Sequence, residues 1–319
     1  MRVIDSHVHF PEPKIIDDGS PAGDESSIGR KGIGYTSGRS ADPLRAAHPW
    51  IEGEKARWET AWRFPSPVEV SPEEGERLWA GECAKREYLE KVVFVTAGSN
   101  DFASDLVRRH PGEFRAYAHH DPLLPDAAPR LERALADGGL AGYKLLGPAI
   151  GKSLGDRTFD PLWECAQARE VPVLVHFGIM GGAGGIADHI NMSPLTIHDV
   201  AKRFPRLPII IPHFGCGYLF ETLNLCWACP NVSIDTSGSN QWMRWMPYEV
   251  TLESLFRKYR ETIGATRILF GTDSSWFPRG FTSAYLDAQV RAMMDVGYTE
   301  DELDAVLYRN AAALLKLPA

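Results

Sequence analysis

The sequence predicts an α/β fold, a distorted (β/α)8 TIM barrel forming a single domain over residues 1–319, and three observations predict it. Short apolar runs, most of them β-branched, recur eight times. Helix-like segments separate most of them, and several open on Ser, Asp or Pro, as an N-cap or first-turn proline requires. The repeat is regular, at about 25–40 residues per unit, except in one place. Eight alternations favour a closed barrel over an open doubly wound sheet, the alternative architecture.

In order, the strands are expected at "RVIDSHVHF", "VVFVTAG", "FRAYAHHD", "AGYKLLG", "VPVLVHFG", "LPIIIPHFG", "NVSIDTSG" and "RILFGTDSS". Helices are expected at "SPEEGERLWAGECAKREYLEK" (71–91), "ASDLVRRH", "APRLERALAD", "DPLWECAQARE", "SPLTIHDVAKRF", "GYLFETLNLCWAC" and "YEVTLESLFRKYRETI". The spacing breaks after strand one, where residues 11–72 are far longer than a usual βα connection. Trp50, Trp58 and Trp62 with Arg57 and Arg63 make this segment a lid over a substrate, with Trp58 and Trp62 in contact with it. A decorative excursion is the plainer alternative.

Composition narrows the function. The chain has 319 residues, 44% of them hydrophobic, and a net charge of −8 with a pI near 5.7, so no broad basic surface is available for nucleic acid. A small molecule is the expected partner, and a homodimer is the expected assembly. No apolar run approaches the length of a membrane span, and no leader pattern opens the sequence, which makes the cytoplasm the expected compartment. Five cysteines, an odd set without a framework, fit reduced thiols. "CWAC", at Cys226 and Cys229, has redox spacing but falls late in a helix and is expected in the core. "GIMGGAGG" lacks the order of a phosphate loop and is expected as a mobile rim loop.

His7 and His9 are two residues apart on a strand, so they share a face, at the strand's C-terminal end. In a barrel of this type chemistry is built at that end. The corresponding position holds His176 in the fifth strand, His213 in the sixth and Asp273 in the eighth. Five donors or proton carriers on one rim point to a functional site. His119 and His120, ending the third strand, suit a pocket or a capping role.

The His-x-His of "DSHVHF", His176, His213, "GTD" ending in Asp273, "NVSIDTSG" and the closing "VLYRNAAALLKL" together resemble the metal-dependent amidohydrolase superfamily. The resemblance is to the branch that includes aminocarboxymuconate-semialdehyde, resorcylate and carboxyvanillate decarboxylases and several lactone hydrolases, and it covers nearly the whole chain. It implies that His7, His9, His176 and Asp273 hold one divalent metal, with His213 beside the site. Imidazoles and a carboxylate suit Zn2+ first and Mn2+ second. An ion with an open position lowers the pKa of bound water to about 7. Asp273 then serves as general base and His213 polarises a carbonyl or donates a proton. Lys144 occupies the place of a strand-four lysine that some relatives carboxylate to bridge two metals; an ammonium that binds an anionic substrate is the simpler expectation.

Two reactions follow. The first expectation is a hydrolase, with activated water attacking an amide, lactone or ester carbonyl of a small carboxylate-bearing substrate. The alternative is a non-oxidative decarboxylase of a small aromatic or unsaturated acid. Arg279 in "WFPRGF" is the expected clamp for the substrate carboxylate in either case.

Overall fold

Eight parallel strands follow in sequence order in the computed structural model, which describes residues 1–11, 65–179 and 189–317. They are β1 (Val3–His9), β2 (Leu89–Thr96), β3 (Phe114–Ala116), β4 (Tyr143–Leu146), β5 (Val173–His176), β6 (Ile209–Ile211), β7 (Val232–Asp235) and β8 (Ile268–Leu269). Strands β1 to β3 pair in order, as do β4 to β8. Backbone bonds join the two groups into a ring. On one side Ala118 N–H donates to Gly142 O and Lys144 N–H to Ala118 O, both at 2.8 Å. On the other, Asp273 N–H donates to His7 O and His9 N–H to Ser274 O, again at 2.8 Å. The expected barrel is present.

The surrounding helices are α1 (Pro72–Ala84), α2 (Asn100–Arg109), α3 (Ala127–Ala136), α4 (Asp160–Ala168), α5 (His198–Arg203), α6 (Leu219–Ala228), α7 (Leu252–Ile263), α8 (Ser283–Asp295), α9 (Glu300–Asp304) and α10 (Asn310–Leu314). Local chemistry starts several of them: Ser71 and Ser99 accept from the third residue of their helices, and Thr251 and Ser254 form a reciprocal capping box. The expected helix over 71–91 is shorter. It stops at Ala84, and Leu89–Lys91 belong to β2, where Leu89 pairs with Val3. Strand pairing outweighs the helical propensity of "KREYLEK".

Alternation along the strands divides the core in two. Val3, Val92, Phe94, Val173, Val175, Ile209, Ile211, Val232 and Ile234 face the helices. Ile4, Val93, Val95, Tyr117, Leu174, Ile210 and Leu269 fill the barrel, and Tyr308, Ala311, Ala312 and Leu315 pack against them. In β1 the parity breaks: Ile4 points inward, and so do His7 and His9, three and five residues later. The pairing of β1 with β2 is irregular between Asp5 and Val8, a bulge that re-aims the strand and turns both histidines into the barrel.

Of the expected 11–72 insertion, residues 12–64 lie outside the described residues, and with them Trp58 and Trp62. Its last residues run along the rim: Val68 bridges Phe277, and the Trp276 indole donates to Pro65 O at 2.8 Å. Most of "GIMGGAGG" is likewise outside the described residues. Cys226 and Cys229 are buried, as expected of core thiols, and burial pushes the Cys226 thiol up to about 12. No described helix is long and apolar enough to cross a membrane.

Candidate active site

The C-terminal ends of the strands converge on a cluster of imidazoles and carboxylates. His7 is fully buried, and its ring lies 5.3 Å from that of His9 and 5.0 Å from that of His213, with His176 5.1 Å beyond His213. Asp273 Oδ1 lies 3.2 Å from His9 Nε2 and 3.7 Å from His7 Nε2. His213 and Asp273 do not sit within strands: each follows its strand by a few residues and takes a left-handed φ, 57° and 55°.

His213 opens an unusual turn. Residues 213–217, "HFGCG", all have positive φ. Such a run is costly for residues with a Cβ, so the surroundings must hold it. Phe214 is buried against Phe256 and Tyr259, and the Tyr259 hydroxyl donates to Phe214 O at 2.8 Å. Asp235 accepts from the His213 N–H at 3.1 Å.

Hydrogen bonds fix how each imidazole presents itself. Asp235 is fully buried at the end of β7, and its Oδ2 accepts from His7 Nδ1 at 2.8 Å. Burial alone would raise the Asp235 carboxyl, but the imidazoles of His7 and His213 and the bonds from His7 and Ser237 hold it below the usual range. With His7 Nδ1 donating to an ionised carboxylate, Nε2 carries the lone pair. That atom is buried and has no hydrogen-bond partner among the described residues. His213 Nδ1 lies 3.0 Å from the Ser237 carbonyl, an obligatory acceptor, which leaves its Nε2 free to accept. His9 Nδ1 lies 2.6 Å from the Thr96 hydroxyl. Burial holds His7 and His9 below their ordinary range, His9 at about 3, so both are neutral donors of an electron pair.

A buried, orphaned imidazole nitrogen beside a carboxylate is the environment a cation satisfies. His7, His9 and Asp273 offer ligand atoms within 4.8 Å of one another, and His7, His213 and Asp235 do the same. The chemistry of the first set fits a divalent ion. The carboxylate behind His7 is the partner that orients a ligating imidazole. His176 stands apart from both sets: its Nε2 donates to Ile179 O at 3.2 Å, and burial with the neighbouring His213 keeps it well below its ordinary range.

Lys144 is buried on the inner face of β4, and burial lowers its ammonium to about 8 against the pull of Asp235 and Asp273. Arg279 is not among the residues lining the cleft, and its guanidinium donates to Thr272 O and Thr282 Oγ1. His119 donates to Lys144 O at 2.9 Å, and His120 bonds Asn100 and Ala127. Asp235 and Ser237 were not singled out in the sequence, although Asp235 ends a strand at the same rim as the others.

An open cleft leads to this cluster, lined by His176, His213, Ser237, Trp242, Trp245 and Asp273 among others. Asp273, which lines the cleft, is 25% exposed, and His9 beside it is 18% exposed.

The chain is 26% identical to Decarboxylase orsB of Emericella nidulans, in an alignment that covers 69% of this chain and 76% of the other. It superposes on the 5-carboxyvanillate decarboxylase of Novosphingobium aromaticivorans, solved with manganese and 4-hydroxy-3-methoxy-5-nitrobenzoic acid, with a TM-score of 0.59, 14% identity and coverage of 99% of this chain and 96% of that one. An amidohydrolase from Burkholderia multivorans, solved with zinc, superposes with a TM-score of 0.60, 16% identity and full coverage of both chains (100% each). A family model described as amidohydrolase matches residues 4–317. With the barrel and its rim of imidazoles and carboxylates, this match across almost the entire length establishes that the chain belongs to the amidohydrolase family.

Proposed function

We propose that the chain is a metal-dependent, non-oxidative decarboxylase of a small aromatic or unsaturated carboxylic acid. The observation that carries this reading is the relative of known name that aligns over most of the chain, a decarboxylase. The manganese-bound decarboxylase of the same fold adds support. Hydrolysis, placed first on the sequence alone, uses the same donors and draws less support from these similarities.

In this reading His7, His9 and Asp273 hold the ion, with zinc or manganese as the metal, and His176 joins them as a donor only on giving up its bond to Ile179. When bound, the ion supplies positive charge and Lewis acidity to substrate oxygens. Lys144 adds a buried positive charge that suits an anionic substrate, and Trp242 and Trp245 offer flat apolar walls to a ring. Asp273, facing the cleft, and His213, its Nε2 accepting, handle the proton. It is delivered to the carbon bearing the carboxylate; the bond to the carboxylate carbon breaks, its electron pair remains on the substrate, and CO2 leaves. Both groups meet the geometric need for a proton carrier in reach of the cleft.

The test uses the zinc- or manganese-loaded protein with a panel of hydroxybenzoic acids in D2O. The expected result is CO2 release with deuterium at the vacated carbon, slowed by about 10²–10⁴-fold in Asp273→Asn. Incorporation of 18O from labelled water into lactone or ester substrates, with no CO2 from any acid, would sink the proposal and restore hydrolysis.

A further inference from the structure

Asp273 reaches the cluster from a loop, yet its carboxylate is held 3.2 Å from His9 Nε2 and 3.7 Å from His7 Nε2. Beside the bond from its own N–H to His7 O, what holds it is the preceding residue. Thr272 is fully buried, and both ends of it are engaged. On its amide side the Thr272 N–H donates to Asp5 Oδ1 at 2.9 Å and its hydroxyl donates to Asp5 Oδ2. On its carbonyl side the oxygen of the Thr272–Asp273 peptide accepts from Arg279 Nη2 at 3.2 Å.

Arg279 is itself fastened. Its Nε donates to Thr282 Oγ1 at 3.0 Å, at the start of α8. Its guanidinium lies over the Trp276 ring at 4.4 Å and the Tyr285 ring at 5.0 Å. The planar fork therefore connects the peptide that carries Asp273 to the first turn of α8 and to two aromatic faces at once, a geometry a lysine cannot reproduce. The loop needs such a hold, because Asp273 has a φ of 55°, a left-handed backbone that a residue with a side chain leaves easily.

We infer that Arg279 is a positioning residue that locks the Thr272–Asp273 peptide, and through it the Asp273 carboxylate, in place, and that it is not the clamp for a substrate carboxylate. The inference rests on the reading of Asp273 as a metal ligand, and it also makes a claim about the backbone that is independent of metal. Removing the fork leaves that peptide held only through the Asp273 N–H bond to His7 O, so it tilts, the Asp273 carboxylate loses its fixed distance from His9 and His7, and metal affinity falls while substrate affinity does not.

The experiment compares wild type with Arg279→Lys by hydrogen exchange of the metal-free proteins and by zinc affinity in competition with a chelator. In Arg279→Lys the amides of Asp273 and Ser274 are expected to exchange at least about 10-fold faster, with β1 unchanged. Zinc binding is expected to weaken about 10–100-fold, and KM for an accepted acid, at saturating zinc, to stay within about twofold. Thr282→Val, which keeps the guanidinium but removes its anchor, is expected to shift the same readings in the same direction to a smaller extent, and it serves if Arg279→Lys does not fold. Wild-type exchange and zinc affinity in the variants, with KM raised more than about tenfold, would overturn the inference and return Arg279 to the substrate. A wild-type protein that takes up no zinc or manganese would end the metal reading, while the exchange data would still judge the clamp.

Discussion

His7 presents one nitrogen to Asp235 and the other to Asp273, and each contact limits what the ring can do. Its Nδ1 proton is committed at 2.8 Å, so only Nε2 is available to a cation. Replacing Asp235 by Asn keeps the shape but removes the charge, and the amide can turn its NH2 group toward His7 and favour the wrong tautomer. Asp235→Asn is expected to weaken zinc binding by about 10–100-fold at an unchanged fold, read by chelator competition together with far-UV circular dichroism. Wild-type affinity would show that Asp235 is a packing residue. The residues of this site were readable in the sequence to the extent that they obey strand alternation. His176 and Asp235 do, and the same strand-end argument would have found Asp235; His7 and His9 share a face as alternation requires, but the bulge in β1 that turns that face inward is not written in the pattern. His213 and Asp273 sit in turns with left-handed backbones, where alternation gives no direction, and only their nearness to strand ends brought them into view. The bond from His176 to Ile179 and the fastening of Arg279 depend on loop conformation, which side-chain patterns do not encode.

Among the elements, the turn after β6 is tightly constrained. Gly215 sits at its centre with a φ of 90°, and a Cβ there would overlap the Thr222 hydroxyl of α6. Both the backbone and the space demand glycine. Gly215→Ala is expected to cost about 1–3 kcal/mol, measured by urea unfolding, and to displace His213. A variant of unchanged stability would mean that the turn relaxes without cost and that its left-handed run has no structural hold. The eight strands were readable because each lies in its own short apolar run, most of them β-branched. The length of α1 was not, because "KREYLEK" suits a helix until Leu89 is claimed by its neighbour Val3 across the sheet.

For the whole molecule, the ring closes where β1 meets the segment after β8, through the bonds of His7 and His9 to Asp273 and Ser274. Those partners are separated by about 265 positions, so the contact completing the barrel also completes the donor set. This imposes an order in time. While the protein is being made, the first two histidines emerge early and must wait, with β1 lacking one of its two neighbours, until the last strand has been synthesised. Nascent chains halted before residue 264 are expected to remain protease-sensitive and to retain no zinc, whereas chains extended far enough for residues 268–315 to clear the ribosome gain both resistance and metal together. Zinc retained by the shorter chains would separate the two events. If they coincide, an unfinished polypeptide cannot capture the ion, and acquisition of the metal becomes a signal that synthesis of the barrel is complete.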